Sequence, residues 1–124
     1  MFSFTKNTLA RMTMIAMLIF GATAPGFAGA VGGEKYTRTS VNANSADVFR
    51  VTFRGGELAL VSISGDGDTD LDLYVYDEND RLIAKDDDSS DKCLVSWVPK
   101  WTGSFKIRVV NRGRVYNEYE LRTN

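Results

Sequence analysis

Successive residues of a β-strand point to opposite faces, so a run that alternates apolar and polar side chains can bury one flank only. Residues 70–76 are such a run: Leu71, Leu73 and Val75 form the dry side, and Asp70, Asp72, Tyr74 and Tyr76 the wet one. The same period places Phe49, Val51 and Phe53 inward, then Phe105, Ile107 and Val109, then Tyr119 and Leu121. Residues 58–64 are apolar on both faces, as in a central strand. Nothing after residue 30 repeats with a helical period. Short runs of Val, Ile, Phe, Tyr and Leu alternate instead with Gly, Asp and Asn clusters. That pattern predicts an all-β, antiparallel sandwich of about seven to eight strands.

The same reading assigns the connections. An edge strand is expected at 36–41, a turn at 77–80, a short strand at 81–85, an acidic loop at 86–91, and a strand at 93–98 that Pro99 ends. Arg54-Gly55-Gly56-Glu57 is expected to close a hairpin, since glycine accepts the positive φ of tight turns. A second hairpin, centred on Gly113, would set Lys106 opposite Glu120 and Arg108 opposite Glu118, with a gain of about 0.2–1 kcal/mol per pair.

The first thirty residues are a different kind of segment. Lys6 and Arg11 precede the apolar run 12–22, Pro25 and Gly26 interrupt it, and Ala28-Gly29-Ala30 has the small residues a signal peptidase requires. A spanning helix needs about 20 apolar residues, so this run is short for an anchor. The expected organisation is a cleavable signal peptide at 1–30, a flexible lead-in at 31–46 and a sandwich domain at 47–124. Cleavage is expected after Ala30, with the bond after Ala28 as the alternative. The product would be periplasmic or secreted, with no transmembrane anchor.

Composition narrows the chemistry. The chain of 124 residues has 16 acidic and 15 basic side chains, a net charge of −1, and loss of Lys6 and Arg11 makes the remainder more acidic. A nucleic-acid binder would show a basic excess on one face. There is no histidine, which excludes Ser-His, Cys-His and histidine-ligated metal sites. Paired carboxylates alone can hydrolyse glycosides, but they need a cleft and a buried general acid; a small hydrolase is the remote alternative, and the chain is expected not to be an enzyme. Cys93 is the only cysteine, so no intramolecular disulfide forms. It sits in a strand-like run and reads as a buried small hydrophobe.

Carboxylates are the densest local feature. Asp66, Asp68, Asp70 and Asp72 recur at every second position, and Asp86, Asp87 and Asp88 are adjacent. Two readings stand. One is a calcium site, since that ion collects 6–8 oxygens, with Asp70, Asp72, Asp87 and Asp88 as first-choice ligands. The other is a solvated acidic rim, because Asp favours turns and charge blocks edge-to-edge aggregation. An EF-hand does not fit, because Leu71 stands where that loop needs glycine. Tyr74 and Tyr76, facing outward, are candidate ligand-binding residues, or else a cover for the neighbouring strand. Trp97 and Trp101 flank Pro99, with Trp97 read as core.

Several of these pieces, in order, resemble the bacterial pre-peptidase C-terminal domain family. They are Gly56-x-Leu58-x-Leu60, then Gly65-Asp66-Gly67-Asp68-Thr69-Asp70-Leu71-Asp72-Leu73-Tyr74-Val75, then Gly103-Ser104-Phe105-x-Ile107-x-Val109, then Tyr119-x-Leu121. The resemblance covers 47 to about 121. It implies a jelly-roll-like sandwich, usually appended to secreted peptidases and sometimes free-standing, in which some members bind calcium. It also implies an exported peptidase as a partner in trans, since no catalytic domain accompanies this copy. The related collagen binders draw calcium ligands from an acidic linker, whereas here only Glu34 is acidic before Asp47; collagen binding does not carry over. The function expected is an exported, non-catalytic accessory or binding module, held to extracytoplasmic protein or polysaccharide. The alternative is a structural or assembly subunit of the envelope.

Overall fold

Each run with period-two burial forms a strand. A computed structural model describes residues 29–124 and, before them, the backbone of β1 (Ser3–Lys6) and β2 (Arg11–Met14). The remainder of the expected signal peptide lies outside the described residues. The following strands are β3 (Tyr36–Val41), β4 (Ala46–Phe53), β5 (Ala59–Ser64), β6 (Leu71–Tyr76), β7 (Leu82–Asp86), β8 (Lys92–Trp97), β9 (Gly103–Asn111) and β10 (Asn117–Thr123), and no helix is present among the described residues. Segment 31–46, the expected lead-in, holds β3 and a buried Lys35.

β3 to β10 build two antiparallel sheets, ordered β4-β9-β6-β7 and β3-β10-β5-β8. β1 pairs with β2 and with β4, continuing the first sheet at its β4 edge. Read in parallel, the two orders match each strand with its chain neighbour in the opposite layer: β3 with β4, β10 with β9, β5 with β6, β8 with β7. This is the wrapping of a jelly roll. The inward flanks meet between the layers, where Phe49, Phe53, Leu71, Leu73, Ile107, Tyr119 and Leu121 are among the largest fully buried side chains. Each such side chain contributes about 1.5–3 kcal/mol through burial.

Two expected hairpins are corrected by this topology. β9 and β10 lie in different sheets, so Lys106 does not face Glu120, nor Arg108 Glu118. Glu120 instead aligns with Arg38 of β3 and Ser64 of β5, while Lys106 aligns with Arg50 of β4 and Tyr76 of β6. The like-charged Arg50–Lys106 register is tolerated because Lys106 turns to Asp80 at 2.8 Å and lies over the Tyr76 ring. Charge complementarity was a valid criterion applied to the wrong neighbour, because long side chains find partners in loops as readily as across strands. The Arg54–Glu57 turn likewise crosses between sheets, joining β4 to β5. Its glycine requirement survives the correction, since Gly56 has φ +81° and its N–H donates to Pro99 O at 2.8 Å.

A buried polar pair ties the layers together. The Tyr119 hydroxyl on β10 donates to Asp47 Oδ2 on β4 at 2.7 Å. Burial, with the Asp47 charge beside it, raises the Tyr119 pKa well above that of an ordinary phenol. Cys93 packs in the core, with Sγ 3.2 Å from Leu71 O, and burial pushes its thiol up to about 12.

Candidate functional site

The connections separate into two ends of different chemistry. At one end, loops 65–70, 87–91 and 112–116 meet: Gly65 N–H donates to Asp91 O at 2.9 Å, and Arg112 N–H to Asp70 O at 3.0 Å. The fold therefore brings the two acidic loops together, as a shared ion site would require. Most of their carboxylates, however, are occupied with holding the loops. Asp91 Oδ2 accepts from Gly67 N–H at 2.6 Å. Asp66 accepts from the N–H groups of Asp68 and Glu118, Asp88 from Ser90 N–H, and Asp86 from Leu94 N–H. Asn117 links the loops, its amide donating to Thr69 and Asp91 while its carbonyl accepts from Asp66 N–H. These backbone bonds hold the Asp66 carboxyl below its usual range.

Asp72, Asp87 and Asp88 all lie near enough for their charges to act on Asp70. Desolvation, then the charges of Asp72, Asp88 and Asp87, raise the Asp70 pKa, with Arg112 opposing. Asp70 Oδ1 and Asp72 Oδ1 are buried and have no hydrogen-bond partner among the described residues. Yet the four do not converge: among the described residues no group of three or more acidic, cysteine or histidine side chains is arranged to hold a metal. Asp87 is engaged with Lys85 at 3.0 Å, which lowers its pKa.

Asp72 is also not on a wet face, as the alternation suggested. It is 3% exposed, because Arg112, just past the end of β9, folds over it with Nε 2.8 Å from Oδ2. Arg112 also donates to the Tyr74 hydroxyl at 3.2 Å, and that hydroxyl lies 3.4 Å from Asp72 Oδ2. Asp72 and Tyr74 together raise the pKa of the guanidinium. The chain thus supplies one cation of its own to the carboxylates. Arg112 was missed in the sequence because no local spacing links positions 72 and 112; only the β6–β9 register does. Tyr74 and Tyr76 do face outward, their rings 6.5 Å apart. Both are half-buried, one bonded to Arg112 and the other beneath Lys106.

The opposite end is apolar. A groove of about 400 Å³ runs between the start of β7 and the segment after β8. Leu82, Ile83, Trp97, Val98, Pro99 and Trp101 form its walls, with Arg81, Lys100 and Asp77 at the rim. Leu82, Ile83, Val98 and Trp101 are exposed there despite their size, Trp101 by 49%. β7 and β8 are the outer strands of their sheets on this side, so no strand among the described residues covers these side chains. Trp97 is half core: its ring packs edge-on to Phe53 at 4.9 Å and near Phe105 at 5.4 Å. Its Nε1 is buried without a hydrogen-bond partner among the described residues. Asp77 keeps the rim in shape by accepting from Asn79 and Arg81 N–H, and those bonds lower its pKa. The tryptophans were visible in the sequence; that Leu82 and Ile83 join them was not, because an exposed edge strand and a covered one share the same letters.

No protein-family model matches the chain, and a search of curated proteins finds no match either. Among the described residues no helix is long and apolar enough to cross a membrane.

Proposed function

We propose that the chain is an exported, non-catalytic binding module that attaches to extracytoplasmic protein or polysaccharide through the groove beside β7 and β8. One observation carries this: two tryptophans and four aliphatic or proline side chains form an open concave surface on a domain of this size. Contiguous exposed apolar surface rimmed by charge is characteristic of interaction sites, and tryptophan is a common anchor in them. Leu82, Ile83 and Val98 favour a protein segment over a sugar, since sugars stack on aromatics but gain little from aliphatic walls.

Export rests on the charged, apolar and small-residue regions of 1–30. Membership in the pre-peptidase C-terminal family rests on the motif order and is supported by the jelly-roll wrapping; on that reading an exported peptidase is a natural partner in trans. A calcium ion would belong at the acidic end, where Asp70 and Asp72 each keep an oxygen without a partner among the described residues and the charges of Asp87 and Asp88 act on Asp70. It would neutralise these carboxylates and stabilise the loops.

Capture from envelope extracts tests the groove, comparing wild type with Trp101→Ala. Trp101 is half exposed, so its truncation should leave the fold intact by circular dichroism. Loss of an anchor worth about 2 kcal/mol weakens binding roughly thirtyfold. Equal capture by both proteins would reject the groove, and retention only on soluble polysaccharide would replace the protein partner with a sugar. Self-association seen by light scattering would favour an assembly subunit.

A further inference from the structure

We infer that export processing cuts the Ala28–Gly29 peptide bond, two residues before the bond that the Ala28-Gly29-Ala30 pattern first suggests. The inference rests on the export reading above and goes beyond it, because it concerns which product is a complete module. In the cut, the oxygen of water adds to the Ala28 carbonyl carbon and the bond to Gly29 nitrogen breaks. Gly29 then leaves as a free amine carrying a proton. The catalyst is an envelope signal peptidase.

Both bonds meet the small-residue requirement. Gly26-Phe27-Ala28 precedes the first and Ala28-Gly29-Ala30 the second. What separates them is the folded domain. Gly29 O accepts from Arg54 N–H at 2.8 Å, and Ala30 N–H donates to Asn124 O at 3.1 Å. Ala30 pairs with Phe53 in an antiparallel bridge, and its side chain is wholly buried within the core cluster. A Cβ at position 29 would meet Leu58 O and Asn124 Oδ1, both at 2.6 Å, so the backbone there is packed as tightly as glycine allows. These two residues therefore bind the end of β4 to the chain terminus.

Lys35 weighs against the product of the later cut on electrostatic grounds. Its Nζ donates to Val31 O at 2.8 Å and to Gly33 O at 3.2 Å, while Val31 N–H donates to Thr52 O at 2.8 Å. A cut after Ala30 would place a new ammonium on Val31, the residue whose carbonyl already receives the Lys35 charge, and would remove Ala30 from the core. A cut after Ala28 moves that charge two residues away and keeps every one of these contacts. Both bonds are accessible before folding, so the structure bears on which product is selected for.

The full chain should be expressed in a bacterial host, recovered from outside the cytoplasm, and read by intact mass and N-terminal sequencing. The expected product begins Gly-Ala-Val-Gly-Gly. A product beginning at Val31 would overturn the inference while leaving export standing. An unprocessed chain retained in the cytoplasm would overturn the export reading, and this inference with it. Gly26→Phe alters only the earlier pattern and is expected to abolish the Gly29 product; unchanged processing of that variant would overturn the assignment.

Discussion

Replacing Arg112 with methionine removes the cation that covers Asp72 and keeps most of the side-chain volume. The Asp72 side chain is 5% exposed, and Arg112 Nε lies 2.8 Å from its Oδ2. Without the guanidinium, the carboxylate retains the Tyr74 hydroxyl at 3.4 Å and an Oδ1 that has no partner. Stripping one member from a fully buried pair costs about 3–5 kcal/mol. Arg112 itself is 55% exposed, so water can enter the space it leaves, and the expected cost falls to about 1–3 kcal/mol. In urea denaturation this is a midpoint shift on the order of 1 M at unchanged slope. Asp72→Asn in the same background should recover part of the loss, giving a coupling energy of about 1 kcal/mol or more. If Arg112→Met costs less than about 0.5 kcal/mol, which is the ordinary range for surface substitutions, the guanidinium does not hold the buried Asp72 carboxylate and does not govern the acidic end.

Three further outcomes follow from other parts of the fold. Burial lowers Lys35 to about 8, below its unfolded value, so the unfolded chain binds more protons above pH 8 and stability rises with pH there. Cys93, pushed up to about 12, acts in the opposite sense above about pH 9, where an unfolded thiol ionises; the gain from Lys35 is therefore read between pH 8 and 9, and Lys35→Met should flatten it in chemical denaturation. Cys93 should be inert to a thiol reagent in the native state and react at the rate of unfolding; rapid native labelling would contradict its burial. Thermal melts with millimolar calcium and with chelator should differ by RT ln(1 + [L]/Kd) if the ion binds; coincident midpoints would remove calcium from the reading, and Arg112→Met should widen any difference by freeing Asp72.

The fold was legible because burial of a strand is a local, period-two property. Leu71, Leu73 and Val75, or Phe105, Ile107 and Val109, declare their dry flank within a few residues, and the structure buries all six. Strand partners are not local. The charges on β9 and β10 suggested a hairpin, yet the chain places those strands in opposite layers, where Phe105, Ile107 and Val109 can meet Tyr119 and Leu121 across the core. Burying those side chains outweighs pairs worth only tenths of a kcal/mol to about one.

The candidate sites divide in the same way. Composition alone set the chemistry: no histidine, one cysteine, and carboxylates gathered in two loops. Their availability was decided by tertiary contacts that sequence spacing does not encode. Arg112 reaches Asp72 across the β6–β9 register, Asn117 ties the loop of Asp66 to that of Asp91, and Leu82 shares a groove with Trp101 only because the start of β7 lies beside the end of β8. The amino-acid order determined which face of each strand is dry, since that depends on nearest neighbours; the folded chain determined which charges are free and which apolar groups stay open to water, since that depends on what closes over them from far along the chain.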